Sequence, residues 1–357
     1  MVAVLFFTNI IRGGKKIQEL ERSIAVLPFI NDSPADSNKY YLNGIMEEVT
    51  LNLQAIKELR VPGRTSVEKY RNTTKSIPEI ARELGVSYIV EGSGEKNGKM
   101  IRLRIQLLEG RKDKHIWGEP YELVLESPEN ISRLESQIAQ SIAAELKAVI
   151  TPEEKQLIER TPTASLTAHN FYLRGNYEQS KYSERDSSTR SALDRADRLY
   201  KKALENDPSY AQAYVGMAQV YWNKYYWETF ISENFLDSVL ILTNKALSID
   251  GQLSEAHRLK GNYYRQIGDY EQAIKELSKA VEFNPNDGEA YYRRAEILYF
   301  NNSDYDKSLE DFQIALSLVP ESLLPDLYRD LSWEYLLLGF VEKANYYCEE
   351  AFTLINS

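Results

Sequence analysis

The chain contains 357 residues, carries a formal net charge of −10 and has one cysteine, Cys348. A chain of this length predicts two or three domains, and a single cysteine excludes an internal disulfide. The charge is uneven: residues 1–150 hold 21 Lys and Arg against 20 Asp and Glu, whereas residues 151–357 hold 22 against 33. An acidic second half repels phosphate backbones, so we expect this chain not to bind nucleic acid.

Residues 1–22 form a leader that opens with an apolar run, Val2–Ile11, and continues into the basic stretch Arg12–Lys16. As a helix, a run of this length reaches about 15 Å, half of the ~30 Å needed to cross a bilayer. It also lacks the basic residues that open a secretory signal. Two interpretations stay open: the end of a transmembrane helix that begins upstream, or a frayed leader. We favour the first, because an apolar stub before a charged linker has no evident role in a soluble fold.

Residues 23–150 have the pattern of an α/β domain. The predicted elements, in chain order, are a strand at 24–29, a helix at 38–59, a short strand at 59–61, helices at 66–70 and 77–84, strands at 86–95, 99–109 and 115–125, and a helix at 128–149. This order, βαβα followed by an antiparallel meander and a helix, predicts an α/β sandwich in which helices cover a mixed sheet.

Alternation in the segment IRLRIQLLE predicts a sheet with one wet face. Its inward-facing residues are Ile101, Leu103, Ile105 and Leu107. Asn97 and Gly98 form a tight hairpin turn between this strand and the preceding one.

Two charged residues of this domain, Arg64 and Glu91, are candidates for a site. In the structural interpretation, which we prefer, Gly63 supplies a turn, Ser66 caps the following helix and Gly92 relieves a crowded strand. In the functional interpretation, Arg64 and Glu91 form a ligand or partner site at the sheet edge.

Several segments in order, SIAVLPFIN, YYLNGIMEEV, LRVPGRTS, IARELGVSYIVEGS, IRLRIQLLE and HIWGEPYE, resemble the TolB amino-terminal-like domain, which is related to the FlgO family. The resemblance covers residues 23 to about 150. It implies that tetratricopeptide repeats follow. It also implies a transmembrane helix and an output module upstream, such as a nucleotide cyclase, a kinase or a DNA-binding regulator of the CadC type.

The second half of the chain is periodic. Small residues recur at intervals of 34, 35 and 36, at Ala246, Ala280, Ala315 and Ala351. In the unit 254–287, Gly261 permits a close helix approach, residues 268–270 make a turn and Pro285 ends the second helix. This unit resembles the tetratricopeptide repeat, so we expect an all-α solenoid of stacked helical hairpins.

Five repeats are predicted, at about 168–210, 211–253, 254–287, 288–322 and 323–357. The first two each contain nine additional residues, around 182–190 and 226–234. Longer helices or looped-out turns would both accommodate them. In the last repeat, Cys348 falls at a core-type position.

The resemblance to tetratricopeptide repeats implies that the first helix of each pair lines an inner groove that binds a protein or peptide. The residues carried over to that groove are Tyr172, Asn176, Gln219, Trp222, Arg258, Asn262, Arg265, Tyr292, Arg293, Glu296 and Tyr299. Four of these, Asn176, Arg258, Asn262 and Arg293, partly resemble a carboxylate clamp for a peptide terminus. Tyr172 stands where the clamp has a lysine, which weakens that hypothesis.

Catalytic and metal-binding patterns are not evident. The three histidines, His115, His169 and His257, lack metal-ligand spacing, and we expect each to be a surface or packing residue. The stretch 92–99 superficially resembles a phosphate loop, but Ser93 stands where that loop needs its first glycine. We therefore expect no enzyme activity, no cofactor and no metal.

The leading hypothesis is the sensory or scaffolding part of a bacterial signalling or transcription-regulatory membrane protein, with a homodimer as one arrangement. An inner-membrane association with a periplasmic soluble part fits the resemblance, although the basic residues after the apolar run favour the opposite orientation. The alternatives are a soluble cytoplasmic assembly adaptor and, more remotely, a small-molecule-binding or enzymatic α/β domain.

Overall fold

The computed structural model describes residues 22–33, 39–183, 186–227 and 233–355, so the apolar run Val2–Ile11 lies outside the described residues. Within them, a mixed β-sheet with helices precedes a run of paired helices, as the sequence predicts. The strands are β1 (Ile24–Val26), β2 (Ile30–Asn31), β3 (Tyr88–Asn97), β4 (Met100–Glu109) and β5 (Lys114–Val124). The helices of this part are α1 (Lys39–Gln54), α2 (Arg64–Val67), α3 (Ile77–Glu83), α4 (Pro128–Glu145) and the linker helix α5 (Pro152–Ile158).

The sheet has the strand order β1–β3–β4–β5, and β2 also pairs with β3. Strands β1 and β2 run parallel to β3, whereas β3, β4 and β5 form the predicted antiparallel meander. The short strand predicted at 59–61 is wrong, because the structure has only an isolated bridge between Ser23 and Arg60. Arg60 bonds the backbone at the start of β1, since its N–H donates to the Arg22 carbonyl at 3.1 Å and its carbonyl accepts from the Ile24 N–H at 2.9 Å. The next residue does not extend this pairing, because the Val61 N–H donates to Asn286 Oδ1 at 2.8 Å.

One face of the sheet is buried beneath α1 and α4, which confirms the predicted alternation. The four inward residues of β4 are at most 1% exposed: Ile101, Leu103, Ile105 and Leu107. Gly92 on β3 is needed for this packing, since a Cβ there would lie 2.5 Å from the Phe29 ring. On the opposite face, Arg102 and Arg104 are exposed to solvent.

Five antiparallel helix pairs follow in the described residues, and they confirm the expected solenoid. Their helices are α6 (Leu166–Gln179), α7 (Ser191–Asn206), α8 (Ala211–Trp227), α9 (Glu233–Ile249), α10 (Ser254–Gln266), α11 (Tyr270–Phe283), α12 (Gly288–Ile297), α13 (Tyr305–Leu316), α14 (Leu324–Leu337) and α15 (Val341–Ile355). Ala246, Ala280 and Ala315 are 0% exposed, and a Cβ on Gly261 would lie 2.6 Å from Leu277 Cγ. Small residues therefore let neighbouring helices approach closely. In the described part of the chain, no helix has both the length and the apolar character needed to cross a membrane.

The structure accommodates the two insertions differently. In the first pair, the described residues between the two helices, 180–183 and 186–190, are not α-helical and include the 3₁₀ turn Ser187–Thr189. In the second pair the helices are longer, with 17 residues in α8 and in α9 against 13 in α10 and 14 in α11. The fourth repeat, 288–322, is one residue longer than the unit 254–287, and its first helix continues into a π-helical turn at Leu298–Asn302.

The cysteine is exposed, so the core position predicted for Cys348 is wrong. Ala344 and Ala351 of the same helix are buried, at 3% and 7% exposure. Since α15 is the last helix of the described residues, no following helix pair there covers the side on which Cys348 lies.

The α/β domain and the first repeat share one hydrophobic core. The cluster that contains Ile45 and Leu103 of the α/β domain continues through Leu173 on α6 to Tyr200 on α7 and Tyr210 at the start of the second repeat. The boundary near residue 150 is therefore not a boundary between cores. This continuity fixes the α/β domain at one end of the helical array.

Candidate functional site

The first repeat presents its predicted groove residues to the α/β domain and to its own core. Tyr172 is 8% exposed, and burial, together with the nearby Glu48 carboxylate, raises the pKa of its phenol well above the ordinary value. The hydroxyl of Tyr200 contacts Asn176 Oδ1 at 2.8 Å and can donate to it. Tyr172 and Asn176 therefore hold the structure together at this end of the groove.

The second repeat has a polar pair beside a buried aromatic residue. Gln219 Nε2 donates to Asn223 Oδ1 at 2.9 Å, and both side chains are half-buried on α8. Trp222 is 9% exposed and its ring centroid lies 6.1 Å from that of Tyr225. The reachable surface here is provided by the two amides rather than by the indole.

Helices α10 and α12 face each other with alternating charges. Arg258 contacts Glu289 Oε2 at 2.6 Å and Asp287 Oδ2 at 3.2 Å. Farther along the groove, Glu296 contacts Arg293 at 2.9 Å and Arg265 at 3.6 Å. We call these six residues, Arg258, Arg265, Asp287, Glu289, Arg293 and Glu296, the charged strip.

Opposite effects act on the carboxyls of the charged strip. Burial raises the pKa of Asp287 despite the opposing effect of Arg258. For Glu289, burial also acts to raise the pKa, but Arg258, Arg293 and Arg265 outweigh it and the pKa falls below its ordinary value. The arginines therefore keep Glu289 ionised in a partly desolvated groove.

Asn262 differs from its neighbours on α10. It is 0% exposed, and neither its Nδ2 nor its Oδ1 has a hydrogen-bond partner among the described residues. It lies one helical turn beyond Arg258 and three residues before Arg265, at a spacing that places all three on the same side of the helix. A buried amide without partners costs stability, so Asn262 is the member of the predicted clamp that retains unused bonding capacity.

Two predicted groove tyrosines are buried in the packing of the last two repeats. Tyr292 is 1% exposed, and its hydroxyl donates to Asp330 Oδ2 at 3.0 Å. Tyr299 is 8% exposed, with its ring centroid 5.9 Å from that of Tyr305. Since Arg258 and Arg293 are also paired with carboxylates, the structure does not assemble the four clamp residues as free donors.

The candidates in the α/β domain do not form one site. Arg64 donates to Glu47 Oε2 at 2.9 Å, beside the first repeat, whereas Glu91 lies on the interior strand β3, and burial and the nearby Asp113 raise its pKa. A shared site at the sheet edge is therefore wrong, because β3 is not an edge strand. Helix α2 begins at Arg64 with Gly63 as its N-cap, so Ser66 does not cap it.

The sequence analysis missed the residues that join the two parts of the chain. Asn286 lies in the loop between α11 and α12 and is 4% exposed. Its amide bonds the backbone around Gln54 and Val61, more than 200 residues earlier. An asparagine next to Pro285 is typical of a turn, so no local signal distinguishes it.

Comparisons with known families agree with this architecture. Residues 20–141 match the family described as HilA/YgeH-like transcriptional regulator, second domain. Residues 261–302 match the TPR repeat family. The chain thus combines a domain similar to a transcriptional-regulator domain with tetratricopeptide repeats.

Two curated proteins are similar to parts of the chain. "Putative adenylate cyclase 3" of Rhizobium meliloti (strain 1021) is 28% identical over 237 residues, which is 66% of this chain and 39% of that protein. "Tetratricopeptide repeat protein 13" of Homo sapiens is 24% identical over 140 residues, which is 39% of this chain and 16% of that protein. The chain therefore spans less than half the length of either relative.

Solved structures with paired helices resemble the chain in fold. The crystal structure of YrrB, described as a TPR protein with an unusual peptide-binding site, is 23% identical, with a TM-score of 0.37 over 58% of this chain and 93% of that one. PilF of Pseudomonas aeruginosa is 18% identical, with a TM-score of 0.42 over 52% of this chain and 75% of that one. MamA of Desulfovibrio magneticus RS-1 is 19% identical, with a TM-score of 0.39 over 53% and 96%.

Proposed function

We propose that this chain is a non-enzymatic protein-interaction unit of a bacterial regulatory protein, and that it binds a protein or peptide in the groove of its repeats. The observation that carries the proposal is the charged strip on α10 and α12, whose side chains are partly exposed in the groove. The side chains of the strip are fixed by mutual ion pairs, so a partner does not have to order them on binding.

An extended or helical segment of a partner suits this surface. The ion pairs of the charged strip hold its groups about one helical turn apart, and a partner with charges at matching intervals would exchange some of these contacts for its own. The half-buried Gln219 and Asn223 extend the polar surface toward the second repeat.

The regulatory context is supported by similarity. The match to a HilA/YgeH-like domain and the resemblance to the Rhizobium cyclase fit a chain whose α/β domain relays occupancy of the groove to an output module. The TolB-like and FlgO-related resemblance of residues 23–150 fits an anchor and an output module of cyclase, kinase or CadC type upstream. Inner-membrane association with a periplasmic soluble part belongs to this proposal, and a cytoplasmic adaptor is its alternative.

The proposal is tested by selecting a phage-displayed peptide library on the full chain. We expect enriched peptides to protect α8, α10 and α12 from hydrogen exchange, and Arg265→Ala to weaken their binding by about tenfold. The matched control is Ile241→Ala, which changes a 66% exposed residue on the second helix of a pair. Equal affinity for the free-acid and amidated forms of a selected peptide would exclude a carboxylate clamp. If Ile241→Ala weakens peptide binding as much as Arg265→Ala does, the groove is not the binding site.

A further inference from the structure

The fifth helix pair exposes a face that the pairs before it use to pack against their successors. Cys348 on α15 occupies the position of Leu277 on α11 and of Phe312 on α13, four residues after a buried small residue in each helix. Leu277 and Phe312 are 0% exposed and pack with the pair that follows them, whereas Cys348 is exposed. The difference arises because no pair of the described residues lies beyond α15.

Two further positions show the same contrast between the fifth pair and the fourth. Leu336 on α14 is 47% exposed, whereas Tyr299, at the equivalent position of the fourth pair, is 8% exposed. Ile355 on α15 is 69% exposed, whereas its counterpart Val319 is 8% exposed. Exposed apolar residues on the same sides of α14 and α15 complete this surface. We define the end face as Trp333, Leu336, Val341, Cys348, Phe352 and Ile355.

The spacing along α15 indicates that a helix packs against the end face. Alternating steps of four and three residues connect Val341, Asn345, Cys348, Phe352 and Ile355. Their average spacing of about 3.5 residues is the period at which one helix presents a continuous stripe to another helix nearly aligned with it. Asn345 is exposed, and a single asparagine within such a stripe is typical of two-stranded pairings.

The end face is large enough for a stable contact between proteins. At roughly 100 Å² of exposed area for each residue, it presents about 600 Å² of apolar surface. A standard interface buries about 800 Å² per partner, of which slightly more than half is apolar. The last pair of a monomeric solenoid needs a polar outer face, so the end face lacks the character of a cap.

The opposite end of the helical array is not available to cover the end face. The α/β domain covers the first pair, where Leu173 on α6 is 2% exposed beneath Gly44 of α1. Head-to-tail stacking, in which the first pair of one copy covers the fifth pair of the next, is therefore blocked. Two end faces can still meet, because a two-fold axis brings the same patch of both copies together.

We propose that the end face binds the end face of a second copy of this chain, in a closed two-fold dimer. Helix α15 packs along α15 of the second copy, with both α14 helices beside them, and the four helices bury side chains that a single chain leaves in water. The end face is a different surface from the charged strip, so the dimer does not depend on the proposed binding of a peptide.

The dimer is tested by sedimentation velocity of the full chain over a range of about 1–100 μM. We expect a monomer–dimer equilibrium in which Leu336→Glu raises the dissociation constant at least about 100-fold, because each dimer then buries two carboxylates in an apolar interface. Ile241→Glu is the matched control: it places the same charge at a 66% exposed residue of α9 and keeps the wild-type constant. A monomeric wild-type chain, a Leu336→Glu chain that still dimerises, or a ladder of larger species overturns the proposal.

The thiol of Cys348 gives a second measurement on the same samples. It is the only cysteine of the chain, so the rate of maleimide labelling reports the end face alone. At a concentration where wild type is dimeric, we expect Leu336→Glu to be labelled about tenfold faster than wild type, and equal rates overturn the proposal. Slow labelling of a monomeric wild-type chain means that another segment of the same polypeptide covers the face, which also overturns it. If circular dichroism shows that Leu336→Glu does not fold, Ile355→Glu at the end of α15 replaces it, with the same expected and contrary results.

Discussion

Gly44 of the α/β domain lies directly against Leu173 of the first repeat, and a Cβ on Gly44 would stand 2.6 Å, 3.2 Å and 3.3 Å from three carbons of that leucine. Leu173 is 2% exposed, so its side chain has little room to move. This contact joins two predicted domains into one core. It means that the α/β domain and the first repeat fold as one unit.

Gly44→Ala tests this shared core. Alanine adds about 1 kcal/mol of helix propensity, but overpacking in a filled core costs about 1–3 kcal/mol, so we expect a net loss of stability. Hydrogen exchange should increase in α1 and in α6 together. Gly63→Ala is the control, because a Cβ there meets only Gln54 Nε2 at 3.7 Å. Faster exchange confined to α1 would mean that the two parts have separate cores.

Asn176 and Tyr200 are expected to couple energetically. If the hydroxyl of Tyr200 bonds Asn176 in the folded protein, Tyr200→Phe and Asn176→Ala each remove the same hydrogen bond, so their losses should not add. We expect a coupling energy of about 0.5–1.5 kcal/mol from denaturant unfolding of both single variants and the double variant. Strict additivity would show instead that the Tyr200 hydroxyl donates to Gln179 Oε1, which also lies at 2.8 Å.

Arg258→Ala removes the positive charge beside Asp287 and Glu289. We expect a loss of about 2–4 kcal/mol at neutral pH, because two partly buried carboxylates lose their partner. Arg258 holds the pKa of Glu289 below its ordinary value. The stability that this ion pair contributes is therefore present above pH 4.5 and is lost as the pH falls through the folded-state pKa of Glu289. The difference from wild type should therefore shrink in acid. Arg102→Ala, whose two carboxylate partners Glu95 and Glu122 are both exposed, should cost much less stability than Arg258→Ala, and an equal loss would contradict the burial argument.

Glu334 gives a pH dependence of the opposite sign. It is 0% exposed, and burial raises its pKa to about 8 despite a hydrogen bond from Ser308. The Glu334 carboxyl loses its proton near pH 4.5 in the unfolded chain, but only near pH 8 in the folded chain. The contribution of Glu334 to the free energy of unfolding is therefore largest below pH 4.5 and declines as the pH rises to about 8. When the pH rises from 4.5 to 8, the free energy of unfolding of Glu334→Gln should therefore increase by about 2–4 kcal/mol relative to that of wild type. A pH-independent difference in unfolding free energy would contradict this, and the exposed Glu349→Gln serves as the control.

Periodic features of the structure could be predicted from the sequence. The alanines of the repeats and the alternating residues of β4 are buried because their spacing matches the period of a helix or a strand, and that period is local information. The groove residues were predicted by family position, and the structure places two of them, Arg265 and Glu296, 3.6 Å apart in the charged strip. The same prediction does not describe Tyr292, whose hydroxyl bonds Asp330 of the next repeat. Whether a groove position is exposed depends on its neighbours in that repeat.

Contacts between distant segments could not be predicted. Nothing near Asn286 indicates that its amide bonds residues 54–61, since these partners lie more than 200 residues earlier in the sequence. Cys348 was assigned to a core by its spacing, but spacing does not reveal whether another helix covers that side.

The central claim is that the groove of the repeats contacts a partner protein. The most direct measurement places the photoreactive amino acid benzoylphenylalanine at Gln219 in the groove, or at Ile241 on the second helix of the same pair, and irradiates the cells that naturally contain the protein. We expect a discrete protein adduct from position 219 that is absent from position 241 and is diminished by Arg265→Ala. The same adducts from both positions, unaffected by Arg265→Ala, would contradict the account.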